Sequence, residues 1–217
     1  MAVGGVKIAG VILAGGLARR MGGGDKALLE VAGQPLLGHV IARLAPQVEA
    51  LALNANGDAA RFERFALPVL ADTVEGFAGP LAGVLAGMRW AAEAGYTHVA
   101  SAAGDTPFFP PDLVARLSAA LGERDRIAIA ATEDPRRGGL AEHPTFGLWP
   151  VDLADDLEAA LKGDMRKVIV WASRHGCARA VFPEGAAMPF FNVNTPEDLA
   201  EAGRLAALHE NATGGAA

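Results

Sequence analysis

A glycine-rich segment that also carries cationic side chains lies near the start of the chain. It opens with Leu13-Ala14-Gly15-Gly16 and closes with Asp25-Lys26, and Arg20 lies between them. Glycines let backbone N–H groups approach phosphate oxygens, because no Cβ stands in the way. Arg20 and Lys26 bring positive charge to the same place. The segment therefore predicts a phosphate-binding loop with a reach suited to a triphosphate.

The spacing within this loop excludes two common nucleotide-binding fingerprints. A P-loop needs Gly-Lys-Ser/Thr four residues after a glycine, and this loop lacks it. The dinucleotide fingerprint needs a capped helix directly after the glycines, whereas the second half of this loop is rich in arginine. The loop therefore belongs to another class of phosphate site.

Polar side chains also follow later apolar runs. Asn54 ends one run, Asp72 follows another, and Asp105 comes directly after Val99–Gly104. Residues at the carboxyl ends of parallel strands face the crevice where ligands bind. Asp105 is the strongest candidate for a magnesium ligand, since Mg²⁺ is held by one or two carboxylates together with phosphates and water. A turn residue at Asn54 and a helix cap at Asp72 or Asp105 are the structural alternatives.

Short apolar runs alternate with helical stretches, which predicts an α/β fold on a mainly parallel sheet. The expected strands are Lys7–Leu13, Ala50–Asn54, Val69–Leu70, His98–Ala102, Ile127–Ala131, Thr145–Trp149 and Ala178–Phe182. The expected helices are Pro35–Leu44, Ala59–Phe65, Pro80–Glu93, Pro111–Leu121, Val151–Leu161, Met165–His175 and Pro196–Leu208. Thr195 is expected to cap the last helix, and Asp134–Glu142 is expected to be a mobile loop.

Bulk properties narrow the function. The length of 217 residues suits one domain over residues 1–208, with 209–217 as a disordered tail. Without a signal-peptide pattern or an apolar run near ~20 residues, we expect a cytoplasmic protein that does not bind membranes. A net charge of −6 without a basic block argues against nucleic acid as a partner. The single cysteine, Cys177, excludes an internal disulfide and reads as a small, partly buried hydrophobe.

The motifs, taken in order, resemble those of the molybdenum cofactor guanylyltransferases, the MobA family of the NTP-transferase superfamily. The resemblance begins with the loop from Leu13 to Lys26 and covers about residues 8 to 205. Further matches are Asn54-Ala-Asn56, Asp72 with Gly79-Pro-Leu-Ala-Gly83, Asp105-Thr-Pro107, His143-Pro-Thr145 and Phe191-Asn-Val-Asn-Thr-Pro-Glu-Asp198. The resemblance implies a Rossmann-like three-layer sandwich with a mainly parallel sheet, of the nucleotide-diphospho-sugar transferase type.

The resemblance also implies a reaction. GMP passes from GTP to a molybdopterin cofactor, which gives the guanine dinucleotide cofactor and pyrophosphate and requires Mg²⁺. The terminal phosphate of the pterin attacks the α-phosphorus of GTP, so the protein mainly has to align two anions and neutralise their charge. A protein that delivers the cofactor, and acceptor molybdoenzymes or their chaperones, are the further partners implied.

Residue roles follow from the same resemblance. Leu13, Ala14 and Gly15 would lie against guanine and ribose, and Lys26 would contact the triphosphate. The amide of Asn54 would read the purine edge. The carboxylate of Asp72 would accept the N1–H and amino donors of guanine. For Lys26 the structural alternative is an exposed lysine at the start of a helix.

The second substrate is marked by four residues. The resemblance implies pterin contacts for Asn192 and Asn194, and phosphate contacts for Arg166 and Lys167 at the start of a helix. Related sequences usually carry an Arg-Arg or Arg-Lys pair followed by valine here, and Lys167 in place of a forked guanidinium leaves its contact open. Capping of the final helix is an alternative role for Asn194. His143 is not expected to act as a catalyst, since this transfer needs no strong general base.

Two other classes of function remain open. A cytidylyltransferase for the same cofactor, or a sugar-phosphate nucleotidyltransferase, is the nearest enzyme alternative. Leu-Ala-Gly-Gly favours guanine in the family comparison, because cytidine-specific relatives more often carry Ala-Ala-Gly. A non-catalytic module that escorts a molybdoenzyme is the alternative outside catalysis. Retention of both Lys26 and Asp105 argues against it, since binding alone tolerates loss of a metal ligand.

The magnesium assignment can be tested directly. Asp105→Ala is expected to abolish nucleotidyl transfer while leaving the fold intact, because the metal would lose its protein carboxylate. Pyrophosphate release measures transfer, and circular dichroism checks the fold. Persistent activity in a folded variant would move the magnesium role to another residue.

Overall fold

The computed structural model describes residues 6–15, 25–74, 76, 79–134, 138–183 and 188–213, with side chains described as far as residue 208. The predicted catalytic residue Arg20, and most of the glycine-rich loop, lie outside these ranges.

A seven-stranded sheet forms the centre of the molecule, and a small antiparallel pair lies beside it. The strands in chain order are β1 (Ile8–Leu13), β2 (Glu30–Val31), β3 (Gln34–Pro35), β4 (Ala50–Asn54), β5 (Val69–Leu70), β6 (His98–Ala103), β7 (Ile127–Asp134), β8 (Gly139–Pro150) and β9 (Cys177–Phe182). The sheet order is β5-β4-β1-β6-β8-β7-β9, and β2 pairs with β3. Strand β8 runs antiparallel to both neighbours, while the other described pairs of this sheet are parallel.

Helices cover both faces of the sheet. They are α1 (Leu36–Leu44), α2 (Pro80–Glu93), α3 (Leu113–Ala120), α4 (Ala154–Lys162), α5 (Val168–Ala172) and α6 (Pro196–Thr213). Successive strand residues point to opposite faces, so Ile12 joins the core beneath α1 and α3 while Val11 joins the core beneath α2, α4 and α5. The three-layer α/β sandwich is thereby confirmed.

The carboxyl ends of β1, β4, β5 and β6 lie side by side at one edge of the sheet, and this row of strand ends positions the polar residues. Leu13 pairs with Asn54 on one side and with Ala103 on the other, and Asn54 pairs in turn with Leu70. The row continues into the loops, where the N–H of Ala14 donates to the Asn54 carbonyl at 2.9 Å. The chain segments that follow β1, β4, β5 and β6 therefore leave the same edge of the sheet side by side.

The prediction of a mobile loop over Asp134–Glu142 is wrong for most of these residues. Gly139–Glu142 belongs to β8 and pairs with the end of β7, from Asp134 opposite Gly139 to Ala131 opposite Glu142. The two strands form a hairpin, and residues 135–137 of its turn lie outside the described part. The apolar run alone did not predict this pairing, because the residues beyond Ala131 are polar.

Two helix boundaries also differ from the sequence prediction. Helix α5 begins at Val168, so Arg166 and Lys167 precede it instead of opening it. Helix α6 continues to Thr213, five residues beyond the predicted end of the domain at 208. Thr195 caps this helix as predicted, since its hydroxyl accepts from the Asp198 N–H at 3.2 Å and the Asp198 carboxylate accepts from the Thr195 N–H at 2.9 Å. No described helix combines the length and the apolar character needed to cross a bilayer.

Helix α2 lies unusually close to the ends of β1 and β4, and a glycine allows this approach. A Cβ on Gly83 would overlap Asn54 Oδ1 and would lie 2.7 Å from Leu13 Cδ2. The missing side chain therefore leaves room for the Asn54 amide at the row of strand ends.

Gly83→Ala is expected to destabilise the protein by about 1–3 kcal/mol, because the helix or the Asn54 side chain must shift. Gly203→Ala in α6 is the matched control, since a Cβ there meets no atom within 4 Å. The control should be neutral or stabilising by up to about 1 kcal/mol, as alanine favours helix over glycine. Urea unfolding of both variants measures the difference, and equal stabilities would contradict the packing argument.

Candidate active site

A cleft of about 500 Å³ opens at the carboxyl ends of the parallel strands. Seven residues predicted for the nucleotide site line it together: Leu13, Ala14, Gly15, Lys26, Asn54, Asp72 and Asp105. Their convergence follows from the row of strand ends, which brings four separate segments to one edge. The same cleft is also lined by residues to which the sequence analysis gave no role, among them Asp25, Asn56, Arg61 and Thr145.

The Lys26 ammonium lies at the centre of a partly buried polar cluster. Its Nζ is 2.7 Å from Asp105 Oδ2 and donates to Asn194 Oδ1 at 2.5 Å. Lys26 is only 9% exposed, so the alternative of an exposed lysine at a helix start is wrong. A charge this far from water requires such partners, because its lost hydration must be replaced. The cluster joins the end of β6 to the segment before α6.

Asp105 and Thr106 make further contacts with that C-terminal segment. The Thr106 hydroxyl donates to Asn192 Oδ1, and the Val193 N–H donates to the Asp105 carbonyl at 2.9 Å. Asn192 thus contacts Thr106 and Asn194 contacts Lys26, while Val193 between them is buried. Capping of the final helix is the role of Thr195, so the capping alternative for Asn194 is wrong.

Asp72 is held by two asparagine side chains. Asn54 Nδ2 donates to Asp72 Oδ1 at 2.9 Å and to the Leu70 carbonyl at 3.1 Å. Asn56 Nδ2 donates to Asp72 Oδ2 at 2.8 Å, and its Oδ1 accepts from the Asp72 N–H at 2.9 Å. Both amide hydrogens of Asn54 are thus engaged within the protein. In this geometry Asn54 orients the Asp72 carboxylate, instead of offering its amide group to a purine edge.

Arg61 is a cation of the cleft that the sequence analysis did not identify. It projects from a 3-10 helix, Ala59–Phe65, and its Nε lies 2.6 Å from Asp25 Oδ2. Its Nη2 donates to the Asn56 carbonyl at 2.6 Å. No local motif marks this arginine, because its partners come from the glycine-rich loop and from the turn after β4.

A bulge in β8 separates the cleft from a second cavity. The register with β7 shifts between Ile129 and Ala130, whose partners are Gly147 and His143. The extra residues of β8 include Thr145, whose carbonyl accepts from the buried Ser101 hydroxyl at 2.9 Å. Thr145 lines the nucleotide cleft and His143 lines the second cavity, so the His-Pro-Thr motif has one end in each.

The second cavity, of about 570 Å³, has an aromatic wall. Its lining residues are Thr132, His143, Met188, Pro189, Phe190, Phe191 and Asn192. The His143 ring stacks on Phe190 with centroids 4.3 Å apart, and its Nε2 is 3.1 Å from the Thr132 hydroxyl. Burial lowers the pKa of His143 from 6.5 to about 4, so the ring is neutral at physiological pH. A flat apolar wall with a few polar groups suits a planar heterocycle.

Arg166 and Lys167 are not brought together with Asn192 and Asn194. Arg166 lines a small cavity of about 120 Å³, which shares Gly79 and Pro80 with the margin of the nucleotide cleft. Its guanidinium pairs with Asp164 at 2.8 Å. Lys167 lines none of these three cavities. The four residues predicted for the second substrate thus fall into two groups at different margins of the cleft.

The charged residues that line the cleft indicate whether it can bind a metal ion. Lys26 and Arg61 face Asp25, Asp72 and Asp105, so two cations stand against three carboxylates among the described lining residues. Asp105 Oδ2 accepts from Lys26, and Oδ1 lies 3.2 Å from the Thr106 hydroxyl, whose one proton is directed at Asn192, so both carboxylate oxygens keep lone pairs for a further ligand. No group of three or more potential ligands occurs among the described residues. This donor set fits Mg²⁺, which takes few protein ligands and completes its shell with phosphates and water.

Comparison with known families gives a match over most of the chain. Residues 10–177 match the model of the MobA-like NTP transferase domain. The chain is 53% identical over 207 residues to a molybdenum cofactor guanylyltransferase of Bradyrhizobium sp. strain ORS 278, covering 94% of this chain and 95% of that protein. It is 51% identical over 203 residues to a molybdenum cofactor guanylyltransferase of Mesorhizobium japonicum, covering 91% and 95%.

Solved structures share the fold at low sequence identity. Molybdopterin-guanine dinucleotide biosynthesis protein A of Archaeoglobus fulgidus superposes with a TM-score of 0.68 at 22% identity, covering 92% of this chain and 99% of that one. A 4-diphosphocytidyl-2C-methyl-D-erythritol synthase of Anaerococcus prevotii gives 0.72 at 14% identity, covering 93% and 96%. These likenesses establish the nucleotidyltransferase type of fold.

The buried His143 predicts a pH dependence of stability. The unfolded chain binds a proton on this ring near pH 6.5 and the folded chain only near 4, so its contribution is complete above 6.5 and declines as pH falls to 4. After allowance for partial exposure, the decline should be about 1–2 kcal/mol. His143→Phe should therefore show a shallower loss of stability than wild type between pH 6.5 and 4 in urea unfolding. Parallel curves would contradict the assignment.

Proposed function

This chain belongs to the molybdenum cofactor guanylyltransferases of the MobA-like NTP transferase family, and from that premise we propose how its two cavities divide the reaction. The strand-end cleft binds GTP with Mg²⁺, and the second cavity binds the pterin of a molybdopterin cofactor. GMP is transferred to the terminal phosphate of the pterin, and pyrophosphate leaves. The observation that carries this proposal is the Lys26–Asp105–Asn194 cluster: Lys26 and Asp105 line the strand-end cleft, and Asn194 lies two residues from Asn192, which lines the second cavity.

The base is recognised at the Asp72 end of the cleft. Guanine offers two donors, N1–H and the amino group, to a carboxylate that two asparagines hold in place. Each Asp72 oxygen already accepts one hydrogen bond and keeps lone-pair capacity for another. Cytosine offers an acceptor nitrogen where guanine offers N1–H, and a carboxylate facing an acceptor repels it. Leu13, Ala14 and Gly15 lie against base and ribose in this arrangement, as expected from the resemblance.

The triphosphate lies at the Lys26 end of the same cleft. The three carboxylates of the described lining outnumber its two cations, so these described residues by themselves do not neutralise a triphosphate. NTP transferases generally need a divalent metal, and we propose Mg²⁺ with Asp105 as its protein ligand. When bound, Mg²⁺ neutralises charge on the phosphates and on the departing pyrophosphate. Lys26 holds the Asp105 carboxylate in place and contributes a point charge beside the phosphates. Arg20, predicted as a catalytic cation, keeps that role as a proposal.

The acceptor lies across the Asn192–Asn194 segment from the nucleotide. The neutral His143 ring and Phe190 form a stacked wall that suits the flat pterin, and Asn192 borders the same cavity. Asn194 and Asn192 hold Lys26 and Thr106, so they set the distance between the two substrates. Alignment of this kind accounts for much of the rate in a transfer that needs no covalent help from the protein. Arg166 and Lys167 remain proposed contacts for the pterin phosphate from the opposite margin.

Membership of this family also argues against the two alternative enzymes, a cytidylyltransferase for the same cofactor and a sugar-phosphate nucleotidyltransferase. The two relatives at 53% and 51% identity are guanylyltransferases, which supports guanine over cytosine and over a sugar-phosphate acceptor. A cofactor-delivering protein, acceptor molybdoenzymes or their chaperones, and a cytoplasmic location stay predictions from the sequence.

Purified protein with Mg²⁺, GTP and molybdopterin cofactor is expected to release pyrophosphate, and CTP should be poorer by about tenfold or more. EDTA should stop the release. Equal or better turnover with CTP would overturn the guanine assignment. No turnover with either nucleotide would favour the non-catalytic escort.

A further inference from the structure

The guanidinium of Arg61 is held by residues from two segments of the chain, the one that carries Asp25 and the turn that carries Asn56 and Asp58. Its Nε lies 2.6 Å from Asp25 Oδ2, its Nη2 donates to the Asn56 carbonyl at 2.6 Å, and its Nη1 donates to the Asp58 carbonyl. One face of the guanidinium lies over the ring of Phe62, with 4.6 Å between the guanidinium carbon and the ring centroid. The two terminal nitrogens therefore donate to backbone carbonyls, whereas Nε makes a charge contact with Asp25 without a hydrogen bond, and Arg61 also lines the nucleotide cleft.

Asn56 carries this restraint to the end of the cleft where the base is proposed to bind. Its side-chain amide grips Asp72 twice, by donating to Oδ2 and by accepting from the backbone N–H. Since Arg61 holds the carbonyl of the same asparagine, the Asp72 carboxylate has a fixed position relative to the guanidinium. Asn54 then restrains the other carboxylate oxygen, Oδ1.

Asp25 carries the restraint to the opposite end, where the triphosphate is proposed to bind. It precedes Lys26 directly, so a fixed Asp25 also limits where the Lys26 backbone can lie. The Arg61 and Asp25 side chains are 24% and 15% exposed, so their ion pair is largely shielded from water and only weakly screened by salt. The guanidinium of Arg61 thus connects a residue at one end of the cleft, Asp25, with a residue at the other end, Asn56.

We propose that Arg61 is a positioning residue that determines base preference, because it fixes Asn56 and hence Asp72 relative to Asp25 and Lys26. The inference rests on the proposed function, since it assumes that Asp72 contacts the base. Direct binding of phosphate by Arg61 is the alternative role, since each terminal nitrogen keeps a second N–H, and a comparison of GTP with GMP distinguishes the two.

Arg61→Lys separates geometry from charge. Lysine keeps the positive charge but presents one ammonium group, which cannot reproduce a planar fork directed at three partners. If Arg61 served only to attract phosphate, Arg61→Lys would keep most of the affinity. If it positions Asp72, the charge is kept and the preference for guanine is lost.

The experiment measures the dissociation constants of GTP, GMP and CTP by calorimetry, with Mg²⁺ present, for wild type and Arg61→Lys. The ratio of the CTP constant to the GTP constant is expected to fall about tenfold in the variant, through weaker GTP binding, and GMP should weaken by a similar factor. Arg64→Lys is the matched control, because Arg64 lies on the same 3-10 helix over Phe65 at 4.9 Å and lines none of the three cavities. The control should keep the wild-type ratio.

Asn56→Ala provides a second test that does not alter the arginine. Its backbone carbonyl remains available to Arg61, while both side-chain bonds to Asp72 are lost. It should lower the CTP-to-GTP ratio as Arg61→Lys does. The double variant should add little, since both changes act through the same carboxylate.

The outcomes separate the inference from the function on which it rests. A wild-type ratio in Arg61→Lys or in Asn56→Ala would overturn the inference. Weaker GTP with unchanged GMP in Arg61→Lys would also overturn it, in favour of direct phosphate binding by Arg61. A wild-type protein without preference for GTP over CTP would overturn the proposed guanine assignment and this inference with it. If Arg61→Lys fails to fold, Asn56→Ala decides the question by itself.

Discussion

The buried ammonium of Lys26 constrains how the two ends of the chain meet. A charged group that has lost most of its hydration must find replacement partners within the protein. Its partners Asp105 and Asn194 lie 79 and 168 residues further along the sequence. Satisfying this single nitrogen therefore brings the glycine-rich loop, the end of β6 and the segment before α6 to one point. The polar bonds of Thr106 and Val193 reinforce the same closure.

The opposite end of the cleft is held by a different device. Asp72 is fixed by neutral amides and not by a cation, so its negative charge is oriented without being cancelled. Such a carboxylate can still attract hydrogen-bond donors of a ligand, whereas a salt-bridged one would be partly neutralised. The aligned ends of β1, β4 and β5 make this possible, and Gly83 leaves space for the Asn54 amide.

The bulge in β8 relates the two cavities to each other. Without the additional residues between the Gly147 and His143 pairings, the strand would continue flat and one face could not serve both spaces. The Ser101 hydroxyl holds the bulge from within the core, where it also accepts from the Trp149 indole at 2.8 Å. In the proposed reaction the bulged strand therefore contributes Thr145 to the nucleotide cleft and His143 to the pterin cavity, so one strand relates the two substrates.

The sequence by itself determined the parallel α/β class and the convergence of Lys26, Asn54, Asp72 and Asp105, because carboxyl ends of parallel strands meet at one edge whatever the details of packing. The alternation about Val193 likewise predicted that Asn192 and Asn194 face one side. Only the tertiary structure decided the tasks of individual groups. In the structure the Asn54 amide donates to Asp72, and Arg166 lines a different cavity from Asn192. Strand β8 includes Gly139–Glu142, and Arg61 pairs with Asp25 in the cleft. These outcomes depend on contacts between side chains that are distant in sequence. The geometry of such contacts follows from the assembled fold, so the spacing of residues along the chain does not predict it.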